Sequence, residues 1–146
     1  MEGNKIIILD TSVLIKWIVD ETEGMQEAQE LKHDHHEGKI KVLMPSISLW
    51  EVGNYLGRKF EAREAAEIFQ TFRLSGMEEV QINEKVAHRA FQIMKSAPKV
   101  SFYDASYHAL AIESGGTYIT ADEKYYQKAK KWRKIQLLQD YRKRVK

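Results

Sequence analysis

The chain contains no cysteine. Disulfides and thiolate metal sites are thereby excluded, and any metal would have to be held by oxygen or imidazole. Proline is scarce too: Pro45 and Pro98 are the two residues, and both fall at the edges of predicted elements. Long apolar runs are missing. The opening stretch MEGNKIIILD has four consecutive apolar residues and then an acid, which reads as neither a signal peptide nor a membrane span. A soluble cytoplasmic protein is the expectation. There is no internal repeat or low-complexity linker. A length of 146 residues fits one domain, and a domain of that size buries enough surface for a core without covalent staples.

Charge is unevenly placed. Residues 124–146 carry ten Lys/Arg against one acid, Asp140, a net of +9, whereas residues 1–123 carry thirteen basic and twenty acidic residues, a net of −7. An acidic body suits a cation, and a basic tail suits phosphate. Lys130, Lys131, Arg133 and Lys134 are the candidate phosphate contacts. A solvated helix end explains the tail equally well.

Ile6-Ile7-Ile8-Leu9 is a short, continuous, β-branched run of the kind that forms a strand buried on both faces. Similar runs occur at 41–44, 79–82, 117–120 and 135–138. Helical segments alternate with them near 12–18, 22–37, 46–59, 61–75, 83–95, 102–115 and 122–132. Gly115-Gly116 marks the end of the sixth and Gly76 the end of the fourth. Strands separated by helices predict one α/β domain, with a central, mostly parallel sheet of about five strands flanked by helices. Ligands of such sheets bind beyond the carboxyl ends of the strands.

Four acids fall near that edge. Asp10 follows the first strand and Asp122 the fourth, while Glu51 and Asp104 lie in the first turns of helices. Each alone reads as a helix cap or a partner of the helix dipole. Ser48-Leu49-Trp50-Glu51 has the form of a capping box, and Ser101-Phe102-Tyr103-Asp104 its Asp variant. Two features argue for more. Glu51 shares its helix face with Ile47 and Tyr55 and has no Lys or Arg within a turn, so burying it needs another kind of partner. Asp104 opens a segment with Ala105, Ala109 and Ala111, small residues that let a helix pack closely, and its face continues through His108 and Ala111. Carboxylates converging on one pocket repel unless a cation is present. All-oxygen ligation suits Mg²⁺ or Mn²⁺, and such sites commonly do phosphate chemistry.

At these positions the chain resembles the PIN domain, in particular the VapC-type toxins of toxin–antitoxin pairs. The matching pieces are 8–14 (ILDTSVL), 45–56 (PSISLWEVGNYL), 103–111 (YDASYHALA) and 116–122 (GTYITAD). Any one is weak, but four in order, each holding an acid, are specific. The resemblance implies a cytoplasmic endoribonuclease with Mg²⁺ or Mn²⁺ held by Asp10, Glu51, Asp104 and Asp122. It makes Thr120 a hydroxyl that orients a ligand or water, and Thr11, Ser12 and Asn54 supporting hydrogen-bonders. It further implies an RNA substrate, an antitoxin protein partner, and a homodimer formed near the helices at 46–59 and 61–75. A PIN-type nuclease of RNA processing without an antitoxin and a non-catalytic RNA-binding module are the alternatives. The second should have lost an acid, and none is lost.

Other constellations carry less. A haloacid-dehalogenase nucleophile needs a second Asp two residues after the first, where this chain has Ser12. A receiver domain needs an Asp after the third strand, and residues 78–84 contain none. His33-Asp34-His35-His36 lacks a further ligand at fixed spacing and reads as a solvated helix end. His108 lies one turn from Asp104 and reads as structural. Tyr125, Tyr126 and Trp132 read as packing rather than as base-stacking residues.

Overall fold

The computed structural model describes residues 5–19 and 25–141. Strands β1 (Lys5–Leu9), β2 (Ile40–Pro45), β3 (Glu78–Val80), β4 (Thr117–Thr120) and β5 (Ile135–Leu137) form one sheet in the order β3-β2-β1-β4-β5. Every pairing is parallel, with Ile7 opposite Val42 on one side and Thr117 on the other. The strands match the five predicted runs. The third is shorter than predicted, because Gln81 and Ile82 fall outside β3 and are exposed.

The helices are α1 (Thr11–Ile18), α2 (Met25–His36), α3 (Ile47–Lys59), α4 (Ala62–Arg73), α5 (Glu84–Ser96), α6 (Phe102–Ser114) and α7 (Glu123–Ala129). A 3-10 turn, Lys130–Trp132, continues α7, and another, Leu138–Asp140, follows β5. The predicted start of the second helix at residues 22–24 and the tail residues 142–146 lie outside the described residues.

β1 is buried on both faces, as its run of Ile and Leu requires. Ile7 and Leu9 join the core shared with Leu14, Leu31, Val52, Leu56 and Phe72, while Ile8 joins the core of Val86, Ile93, Ala109 and Tyr118. The chain winds outward from β1 to β3 and then returns to lay β4 on the other flank of β1. The sheet therefore has its topological switch between β1 and β4, where crevices open in folds of this kind.

Three glycines bear on these elements. Gly115 caps α6 at φ +76°, the left-handed conformation predicted for a helix-ending glycine. At Gly116 a Cβ would come within 2.7 Å of the Ile6 carbonyl oxygen and Cγ2. Only glycine lets the chain enter β4 this close to β1. Gly76 does not end the fourth helix as predicted: α4 closes at Leu74, and Gly76 supplies φ +91° in the turn beyond.

Candidate active site

A cleft of about 620 Å³ lies at the carboxyl ends of β1 and β4. Asp10, Glu51, Asp104 and Asp122 line it together with Thr11, Ser12, Asn54, Tyr107 and Ala121. All four acids expected from the sequence meet there. No Lys or Arg is part of the lining.

Capping and site-building turn out to be the same placement for two of them. Asp10 is the N-cap of α1 and accepts from the Val13 N–H at 3.1 Å and the Ser12 hydroxyl at 2.5 Å, both on Oδ1. Its other oxygen accepts from Thr120 Oγ1. Asp122 caps α7 by accepting from the Tyr125 N–H at 3.0 Å. Thr120 links the two acids, since its Oγ1 also accepts from the Asp122 N–H at 3.0 Å. This threonine orients the Asp10 carboxylate.

Glu51 is held differently. Tyr107 donates to its Oε1 at 2.6 Å, and Thr11 donates to the same oxygen. The Ser48 hydroxyl, fully buried, stands 3.0 Å from the Tyr107 oxygen. Each hydroxyl has one proton to give, so Ser48 donates to Tyr107 while Tyr107 and Thr11 donate to Glu51. The capping box read at Ser48 is therefore a correction: α3 is capped at Ser46, without a side-chain cap bond, and Ser48 props the tyrosine instead. The second box holds in part. Ser101 caps α6 by accepting from the Asp104 N–H at 3.1 Å.

The charges are unbalanced. Burial raises the pKa of Asp10 above the usual carboxylate range against the lowering by Ser12, Thr120 and Val13, and Asp122 adds to the rise. Asp104 is raised by burial first, then by Asp122, Asp10 and Glu51, with Ser101 opposing. Burial and the bond to Glu51 raise the Tyr107 phenol, so it stays a donor. Carboxylates in this state favour a proton or a cation. Among the described residues, however, no group of three or more His, Asp or Glu side chains is drawn together as a ready-made metal site. A hard cation that keeps several of its own waters would fit this donor set, since it needs few carboxylates as direct ligands.

Tyr107 is the site residue that the sequence reading left without a role. Its signal was its place three residues after Asp104, on the same flank of α6. Ser12 and Asn54 both line the cleft and are exposed.

The four basic candidates are elsewhere. Lys130 and Lys131 lie in the 3-10 turn, and Arg133 and Lys134 lead into β5. In a parallel sheet that is the amino end, opposite the cleft. Lys134 O accepts from the Tyr118 N–H at 2.9 Å. His108, fully buried, donates from Nε2 to Arg133 O at 2.6 Å and accepts at Nδ1 from Tyr125 at 2.8 Å. Burial holds its pKa low, so it is a neutral tether. The histidine cluster of α2 is structural as well. His35 stacks on Trp17 and its Nε2 lies 2.8 Å from Ser75 O, while Asp34 accepts from Tyr141 at 2.5 Å. Tyr125 and Trp132 are spent on packing, with Trp132 donating to Ser96 Oγ at 2.9 Å.

A family model, "PIN domain", matches residues 7–131. Among curated proteins no sequence matches the chain. Several solved structures share its fold. VapBC from Salmonella typhimurium, bound to DNA, is 20% identical, with 92% of this chain and 98% of that one covered at a TM-score of 0.68. VapBC2 from Rickettsia felis, bound to a promoter DNA fragment, is 16% identical, with 90% and 96% covered at 0.66. VapC20 from Mycobacterium tuberculosis, a toxin described as cleaving the sarcin-ricin loop, is 16% identical, with 83% and 93% covered at 0.62.

Proposed function

The chain belongs to the PIN domain family, and from that premise we propose that it is a metal-dependent endoribonuclease, the toxin of a VapBC-type toxin–antitoxin pair. The observation that carries this reading is the gathering of Asp10, Glu51, Asp104 and Asp122 around one cleft whose lining has no basic residue. Fold neighbours that are toxin–antitoxin complexes, and one named for cleaving the sarcin-ricin loop, support the choice of substrate and partner. Among the described residues no helix is long and apolar enough to cross a membrane.

The four carboxylates would hold Mg²⁺ or Mn²⁺. When bound, such a cation supplies the positive charge that acidifies water and polarises a phosphodiester. The protein's part is orientation. Asp10, engaged on both oxygens, is the most rigidly placed acid. Thr11 and Tyr107 aim Glu51 into the cleft from two elements. Asp104 or Asp122 would orient the attacking water and take its proton, and in-line attack would cut the RNA backbone.

The test is RNA cleavage by the full chain with Mn²⁺ and with EDTA, beside an Asp10→Asn variant checked for folding by circular dichroism. Cleavage should require the metal and vanish in the variant. Activity that survives either change would sink the site assignment. Co-expression of a short reading frame neighbouring the gene should suppress the activity if an antitoxin exists.

A further inference from the structure

Beside the acid cleft lies a second cavity, between α3, the end of α4 and the edge strand β3. Leu49, Trp50, Gly53, Asn54, Phe69, Arg73 and Glu79 line it. Asn54 lines both this cavity and the acid cleft, so the two adjoin at that residue. Trp50 sits one helical turn before Asn54 on the same face of α3 and is 76% exposed, against 8% for Trp17. A large aromatic left in water beside a polar cleft needs an explanation, since tryptophan is usually spent on burial. Arg73 forms no ion pair among the described residues.

We propose that this cavity is a nucleotide subsite for single-stranded RNA running out of the acid cleft, with a base stacked on Trp50 and its phosphate met by Arg73. The inference rests on the ribonuclease reading above. Base stacking on an exposed aromatic is tolerant of sequence, because every base has a π-face. Asn54 offers both a donor and an acceptor to the base edge, and Glu79 accepts from the N–H groups that every RNA base carries. Arg73 supplies the cation that the acid cleft lacks. A purely apolar partner face would not need the amide, the guanidinium and the carboxylate that share this lining. The subsite also places RNA contacts on the cleft's own side of the sheet, which Lys130, Lys131, Arg133 and Lys134 do not.

The test compares Trp50→Ala, Trp50→Phe and Arg73→Ala in the full chain. Cleavage of a short single-stranded oligoribonucleotide with Mn²⁺ gives KM and kcat. Binding is followed by tryptophan fluorescence in an Asp10→Asn background, and mass by light scattering. Trp50→Ala should raise KM about tenfold, the order of one lost stacked base, with kcat within about twofold. Trp50→Phe should restore most of that KM while removing the fluorescence quench. Arg73→Ala should weaken binding and reduce the salt slope by about one. Unchanged KM and quench for Trp50→Ala, with wild-type cleavage intact, would remove the subsite and leave the ribonuclease reading standing. A KM change that appears only together with a shift from dimer to monomer would make this face a contact between copies and overturn the proposal. If the wild type neither cleaves nor binds RNA, the ribonuclease reading fails and the subsite falls with it.

Discussion

The two ends of the sheet differ in how their polar groups are matched. At the amino end, every ring nitrogen of buried His108 has a partner, and Trp132 has one too. Arg133 and Lys134 adopt φ of +62° and +55°, which costs non-glycine residues energy. The bonds from His108 and Tyr118 to their carbonyls hold that turn in place. At the carboxyl end, four acids face one cleft with hydroxyls and N–H groups around them but no cation among the lining residues. Matched polar groups make a turn stable. Groups left with excess like charge make a site that takes up something of opposite sign.

The largest expected effect separates these ends outright. Asp10→Asn should lower RNA cleavage by at least about a hundredfold, the scale of removing one charge-stabilising group. The same variant should raise the melting temperature of metal-free protein, since it removes a buried negative charge while Asn still caps α1. A metal-free variant that melts no higher than wild type would mean that the cleft acids do not repel.

His108→Leu tests the other end. It leaves the Tyr125 hydroxyl and the Arg133 carbonyl without their partner, at roughly 1–3 kcal/mol each. Stability by chemical denaturation should fall accordingly, while kcat per folded molecule holds. The wild type should also lose stability on acidification. His108 is buried neutral with a lowered pKa, so the unfolded chain takes up a proton that the folded chain refuses. This contribution is complete above the ordinary histidine pKa of about 6.5 and declines as pH falls through and below it. A flat profile from His108→Leu beside a sloping wild type would assign the slope to this residue.

Tyr107→Phe is a smaller perturbation. It removes one of two donors to Glu51 and the acceptor for Ser48. Stability should drop by about 1 kcal/mol, and cleavage by less than with Asp10→Asn, because Thr11 still holds Glu51. Loss of activity as complete as in Asp10→Asn would give the phenol a direct part in the reaction. The smallest effect is expected from changing Lys130, Lys131, Arg133 and Lys134 to Gln, since these residues lie at the far end of the sheet from the cleft. Their joint replacement should alter RNA KM by less than about threefold and leave more of the salt slope than Arg73→Ala does. A larger change would mean that RNA wraps the amino end as well.

Much of the architecture was legible in the chain order of residues. The β-branched run at Ile6–Leu9, its weaker copies and the helical periods between them are local patterns, and they located all five strands. Gly115 was legible because a left-handed cap has few alternatives. Gly76 was misplaced by the same rule, because Leu74 could close α4 without a positive φ. Ser48 was misread because a capping box and a buried hydroxyl prop look identical in one dimension. The basic segment shows a related limit: charge per length of chain says nothing about which end of a sheet the chain has reached, and residues 130–134 lie at the end opposite the cleft.

The sequence by itself determined the class of the fold, the absence of thiolate from any metal site and the four acids that line the cleft. These follow from residue type and local spacing, through burial, periodicity and the chemistry of carboxylates. Tertiary structure decided the rest. The return of the chain from β3 to β4 brings Asp122 and Thr120 beside Asp10, across a separation of more than a hundred residues. The packing of α6 against the start of α1 and α3 turns Tyr107 onto Glu51. Such contacts depend on which face of a helix meets which strand end, and that is settled only when the two cores close on either side of β1.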